Sequence, residues 1–141
     1  MGAATVQMAS GLPLPENVKC VVSDCGFTSP YEIVYKVTKQ DWHLPAFFMI
    51  PVTNVFCKLL AGVDLKAYST LDAQKVNKLP TLFIHGTGDK FVPYEMTLQN
   101  YEACQAPKRL ELFEEAGHGQ SYFYDRERYM GSIREWIDTY L

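Results

Sequence analysis

Apolar residues along this chain recur at two different periods, and the changes between them mark its elements. Short runs with β-branched or aromatic residues, each bounded by turn chemistry, occupy Lys19–Asp24, Thr81–Gly86 and Arg109–Glu114 and predict three strands. The run Thr81-Leu-Phe-Ile-His is nearly all apolar, as in a strand covered on both faces of a parallel sheet. Arg109-Leu-Glu-Leu-Phe-Glu alternates, like a strand nearer an edge. Thr81–Gly86 is therefore expected to lie innermost.

Around these strands the period becomes helical. Met1, Ala4, Thr5 and Met8 fall on one face, and Gly11 is the expected left-handed stop ahead of Pro13 and Pro15. Pro93 suits the first turn of a helix in which Tyr94, Leu98, Tyr101 and Cys104 share a stripe. Asp125 is the expected N-cap of a terminal helix that docks Tyr129, Ile133, Trp136, Ile137 and Tyr140 on the sheet. Strands separated by helices imply parallel pairing with right-handed crossovers, so the fold class is α/β. The segment from about Phe27 to Asn77 is too long for a simple connection and carries helical patterns near Pro30–Lys39 and Pro45–Ala61. It reads as a helical cap over the strand ends, on a single partial domain covering residues 1–141.

Composition narrows the function classes. The chain has 141 residues, with 13 Lys and Arg against 16 Asp and Glu, a net charge of −3. A nucleic-acid partner is not expected, because neutralising phosphates calls for a basic excess. The longest apolar stretch, Ala46–Val52, is broken by Pro51 and falls short of the ~18 residues that span a bilayer. The opening Met-Gly-Ala-Ala-Thr is not a secretory leader, which favours a cytoplasmic location for the chain as given; any targeting segment would lie upstream. Cys20, Cys25, Cys57 and Cys104 contain no C-x-x-C pair, so no metal is expected. They read as reduced small hydrophobes, with a Cys20–Cys25 disulfide the weaker alternative.

Two segments carry candidate chemistry. His85-Gly-Thr-Gly-Asp89-Lys-Phe-Val-Pro93 places Asp89 at the carboxyl end of the interior strand, the rim where open α/β sheets bind ligands. The plainer role for an Asp in a Gly-rich loop is to cap a turn. Glu115-Ala-Gly117-His118-Gly119 follows the next strand and frees an imidazole between two glycines. Asp89 and His118 are 29 residues apart, acid before base, at one rim. A carboxylate that orients a histidine base is half of a nucleophilic triad. Asp24 is the alternative acid, its structural reading being an Asx turn. His85 reads as a hydrogen-bonded packing residue, and His43 has the weakest claim.

In this order the residues resemble the C-terminal half of an α/β-hydrolase, of the cap-bearing bacterial esterase, lipase and serine-aminopeptidase-like kind. Met1-Gly2-Ala3-Ala4-Thr5 resembles the run after the serine in a G-x-S-M-G nucleophile elbow. The resemblance implies a serine immediately before Met1, Asp89 as acid and His118 as base. It also implies the Met1 backbone N–H as an oxyanion-hole donor in an intact parent. The chain would then be a C-terminal fragment, inactive alone, of a cofactor-free hydrolase of small acyl substrates: esters, thioesters or small amides. An aspartate nucleophile is the alternative chemistry on this fold, but the Met-Gly-Ala run favours serine. Trp42, Leu44, Phe47, Phe48, Met49, Val55, Phe56 and Leu60 are expected to line a hydrophobic pocket over the site. A competing reading is a non-catalytic binding or complementation module. Its open sheet edge would pair with a second copy or an N-terminal half.

Overall fold

The computed structural model describes residues 1–141. Three strands, β1 (Val21–Asp24), β2 (Thr81–Gly86) and β3 (Lys108–Phe113), pair in parallel in the order β1-β2-β3. Val21 lies opposite Thr81, and Thr81 opposite Lys108. Prolines lead two strands into register. The Val21 N–H donates to Pro80 O at 2.8 Å and the Thr81 N–H to Pro107 O at 2.9 Å, since a proline has no N–H but keeps its carbonyl. Every residue of β2 is buried, as expected for the innermost strand.

Alternation along β2 divides its contacts between two helical layers. Leu82 and Ile84 join Phe113, Ala116 and Trp136 in a core completed by Tyr129, Ile133 and Tyr140. The last three and Trp136 belong to the C-terminal helix Arg126–Tyr140, whose N-cap Asp125 accepts the Arg128 N–H at 3.0 Å as expected. Phe83 faces the other way, against Cys104 and Ala106 with Tyr101 edge-on.

The helices in chain order are α1 (Gly2–Ala9), α2 (Pro30–Lys36), α3 (Ala46–Ala61), α4 (Thr70–Val76), α5 (Tyr94–Ala103), α6 (Ser121–Tyr124) and α7 (Arg126–Tyr140). A π-helical turn, Val37–Asp41, extends α2. Three helix expectations are corrected. The buried face of α1 is Ala4 and Gln7, while Met1 is exposed. Gly11 is not left-handed; Ser10 caps α1 in the right-handed region. Glycine serves there because α4 crosses closely: a Cβ would meet Ala73 Cα at 2.8 Å. In α5, Thr97 and Asn100 are the buried positions rather than the Tyr94 and Leu98 stripe, and Pro93 is the N-cap residue.

That polar face exists because α5 and α4 are joined to each other and to the segment after β1 by hydrogen bonds. The Thr70 hydroxyl lies 2.6 Å from Asn100 Oδ1 and 2.8 Å from Phe27 O, and the Asn100 side-chain amide donates to Phe27 O at 3.2 Å. Gln7 donates to Ser23 at 2.6 Å, and Gln74 to Ser10 at 3.1 Å, tying α1 to β1 and α4. α4 is thus part of the layer beside the sheet, so the outlying helical segment is α2, the π turn and α3, shorter than Phe27–Asn77. All four cysteines are free, so Cys20 and Cys25 are not joined.

Trp136 is 6% exposed against Leu82, Ile84 and Phe113. Trp136→Ala should destabilise the fold by about 3–5 kcal/mol through the cavity left under α7. Urea unfolding would register this as a lower midpoint at unchanged slope.

Candidate active site

Two loops leave the carboxyl ends of β2 and β3 and touch backbone to backbone. The Thr87 N–H donates to Phe113 O at 2.9 Å and the Gly88 N–H to Ala116 O at 3.0 Å, while the Glu115 N–H donates to Thr87 Oγ1 at 3.0 Å. Only glycine permits this approach. A Cβ on Gly86 would meet Ala116 C at 2.6 Å, and one on Gly88 would meet Glu115 C at 2.8 Å.

This contact brings Asp89 and His118 together. Asp89 Oδ1 accepts the Phe91 and Val92 N–H groups, each at 2.9 Å, so the carboxylate does cap its own turn. Its Oδ2 faces His118 Nδ1 at 2.6 Å and His85 Nε2 at 3.1 Å. Asp89 is buried, and four donors converge on it. Burial alone would push its carboxyl up. The bonds from His118 and the Val92 N–H, with the positive potential of both imidazoles, outweigh that and hold its pKa below the usual carboxylate value.

His85 supports this arrangement from beneath. It is fully buried, with Nδ1 2.6 Å from Thr97 Oγ1 and Nε2 3.0 Å from Val92 O. Because Nε2 faces only a carboxylate and a carbonyl, it carries the proton. The packing role expected of His85 is therefore also a role in positioning Asp89. The signal was its place four residues before Asp89 at the end of an interior strand.

Asp24 is engaged elsewhere. Its Oδ2 accepts the Tyr129 hydroxyl at 3.0 Å and its Oδ1 the Cys25 thiol at 3.1 Å, so neither an Asx turn nor a bond to His118 is formed. Cys25 in turn accepts the Gly119 N–H at 3.3 Å, anchoring the residue after His118 to the end of β1. Nothing in the sequence pattern marked Cys25 for this task. It is a non-glycine residue at φ 60°. Burial and the neighbouring Asp24 charge push its thiol up to about 12, so it remains protonated. The same causes push the Tyr129 phenol up. Cys25, His85 and Asp89 offer atoms within 4.8 Å of one another, but they do not suit a metal ion. Cys25 Sγ already bonds Asp24 and the Gly119 N–H, His85 Nε2 bonds Asp89 and Val92 O, and Asp89 also bonds His118.

The His118 side chain is 40% exposed, edge-on to Phe91 with ring centroids 5.2 Å apart. Its Nδ1 is bonded to Asp89, and its Nε2 has no partner within the protein. The ring opens on a cavity of about 410 Å³ whose wall includes Met1, Phe27, Ile33, Trp42, Met49 and Phe91, and no Lys, Arg, Asp or Glu. Of the eight apolar residues expected to form this lining, Trp42, Leu44 and Met49 do so. Phe47, Phe48, Val55, Phe56 and Leu60 instead face solvent, because the opposite side of α3 packs inward through Ala46 and Ile50. His43 is exposed and lies outside the cavity wall.

The Asp89 pKa is lower in the folded chain than in the unfolded one, so the stability this provides is present above about pH 4 and is lost on acidification through the folded value. Urea unfolding across neutral and acidic pH should find Asp89→Asn less stable than the natural chain at neutrality, with the difference shrinking below about pH 4.

The pattern of the prolyl oligopeptidase family matches residues 1–141. The uncharacterized protein YqkD of Bacillus subtilis is 28% identical over 139 residues, which cover 99% of this chain and 46% of that protein. Among solved structures, an esterase from Pyrococcus furiosus superposes with a TM-score of 0.67 at 21% identity, covering 99% of this chain and 50% of that one. An acylaminoacyl peptidase from Pyrococcus horikoshii gives 0.66 at 18% identity, over 98% of this chain and 22% of that one. An acetyl xylan esterase from Paenibacillus gives 0.69 at 15% identity, over 99% and 43%. The chain thus spans under half the length of the curated relative it matches. With its parallel sheet and its family pattern running from end to end, it belongs to the prolyl oligopeptidase family of serine hydrolases, on the α/β-hydrolase fold.

Proposed function

We propose that this chain supplies the general base and orienting acid of an acyl-transfer hydrolase whose nucleophilic serine immediately precedes Met1 in a longer parent. The observation that carries the proposal is the 2.6 Å contact between Asp89 Oδ2 and His118 Nδ1, with the other ring nitrogen unpartnered beside an apolar cavity. Met1 borders the same cavity as His118, which supports a nucleophile at that end.

Each residue then has a defined task. Asp89 holds the proton on Nδ1, leaving the Nε2 lone pair to accept the serine proton as oxygen attacks the acyl carbon. The tetrahedral intermediate places its negative oxygen near the Met1 N–H. As that intermediate collapses, the imidazolium returns its proton to the departing alkoxide, thiolate or amine. Water then repeats the sequence and releases the acid. Asp89 stays ionised throughout, steadying the imidazolium without taking its proton. The uncharged cavity wall favours esters, thioesters or neutral amides with an apolar acyl group.

A second reading rests on the sheet, where β1 and β3 each pair with β2 alone. Either free edge could accept a partner strand without chemistry taking place.

In-frame DNA before Met1 should encode Gly-x-Ser. The 141-residue chain alone should neither bind a fluorophosphonate probe nor turn over nitrophenyl esters, while the chain with that upstream segment should do both. In the longer protein, Asp89→Asn should lower kcat by about 10⁴-fold and His118→Ala by at least as much. Ester turnover by the short chain that survives His118→Ala would refute these assignments. An upstream half that binds without restoring labelling would favour the second reading.

A further inference from the structure

We propose that the outer face of α3 docks on an anionic lipid surface, lying along the membrane and leaving the cavity mouth close to it. The inference is independent of the reaction proposed above.

Two adjacent i, i+4 rows form the face. One is Phe48, Val52, Phe56 and Leu60, and the other runs from Phe47 through Val55 to Leu59. Phe47 is 85% exposed, Leu59 76% and Leu60 83%. Scattered exposed apolar residues are ordinary in soluble proteins, but a continuous helical face marks a docking surface. The opposite side of α3 is already used, with Ala46 and Ile50 buried. Val63 extends the patch beyond Gly62, whose φ of 67° ends the helix, while Trp42, 66% exposed, stands in the wall of the cavity beside His118.

Charge selects the occupant. α3 carries no acid, and Lys58 is its only charged residue. From Lys36 to Lys66 there are four lysines and two aspartates, a net +2 on a chain whose total is −3. Both aspartates are paired, Asp41 with Lys36 at 2.8 Å and Asp64 with Lys58 at 2.7 Å. Lys39 and Lys66 remain without a carboxylate and lie over the rings of Tyr35 and Tyr31. Lys66 shares a groove with Phe47 and Val55 of the face, and apolar side chains beside an unpaired lysine in a net-positive segment match an interfacial helix on anionic lipid. No helix is long and apolar enough to cross a membrane, and α3 has Pro51 at its middle, so α3 would lie on the surface without spanning it.

The test is flotation of the 141-residue chain with vesicles of phosphatidylcholine alone or mixed with phosphatidylglycerol, at low and high salt. Trp42 emission reports the local environment. Binding should be at least about tenfold tighter on the anionic vesicles, weaken with salt and shift Trp42 emission to the blue. Phe56→Glu with Leu60→Glu should abolish binding, and Lys39→Glu with Lys66→Glu should remove the preference for anionic lipid. Leu59→Ser with Leu60→Ser is the milder pair if the glutamates disturb folding, with circular dichroism as the control. Three results would overturn the proposal: no flotation, equal binding to both lipids, or binding that survives the apolar substitutions. Self-association lost in Phe56→Glu with Leu60→Glu, without vesicle binding, would assign the face to a second copy and overturn it equally.

Discussion

A buried carboxylate sets the conditions that the rest of this molecule meets. Asp89 lies under the rim of the sheet, where an ionised group persists only if its oxygens are answered by donors. One oxygen takes two N–H groups of its own turn, and the other takes two imidazoles. Each donor needs its own support. The turn must follow β2 directly, His85 must point to the α5 face to meet Thr97, and the loop after β3 must come close enough for His118 to reach. The glycines at 86 and 88 permit that last approach, because any side chain there would occupy the space of the neighbouring backbone.

The polar face of α5 follows from the same requirement. A stripe of Tyr and Leu against β2 would bury more apolar area, but it would leave His85 Nδ1 without a partner and remove one of the bonds to Thr70 and one to the Phe27 carbonyl. Thr97 and Asn100 supply those bonds. Stability from apolar contact is concentrated on the other side of the sheet, where Trp136 and its neighbours pack on Leu82 and Ile84. One face of the sheet anchors and the other orients.

The outlying helices divide their apolar residues between two environments. Ile33, Trp42 and Met49 turn toward the cavity beside His118, while the outer rows of α3 turn to solvent. Lys36, paired with Asp41 of its own segment, joins that segment to the Asp89 loop by donating to the Lys90 carbonyl. Movement of the segment against that loop would break a buried ammonium contact.

The local pattern of the chain determined the three strands and the longer helices but not α4 or α6, because strand and helix periods reflect burial of one residue after another. It located the interior strand, the Asp125 cap, the terminal helix and the paired Asp89 and His118 loops. Tertiary structure decided which neighbour each residue meets. Gly11 and Gly86 answer backbones far away in sequence, Cys25 holds Gly119, Asp24 is occupied by Tyr129 from α7, and five of the eight expected pocket residues face outward. A helical stripe records that a face is apolar, but what covers it depends on how helices pack around the sheet, and that geometry arises only when the whole chain is assembled.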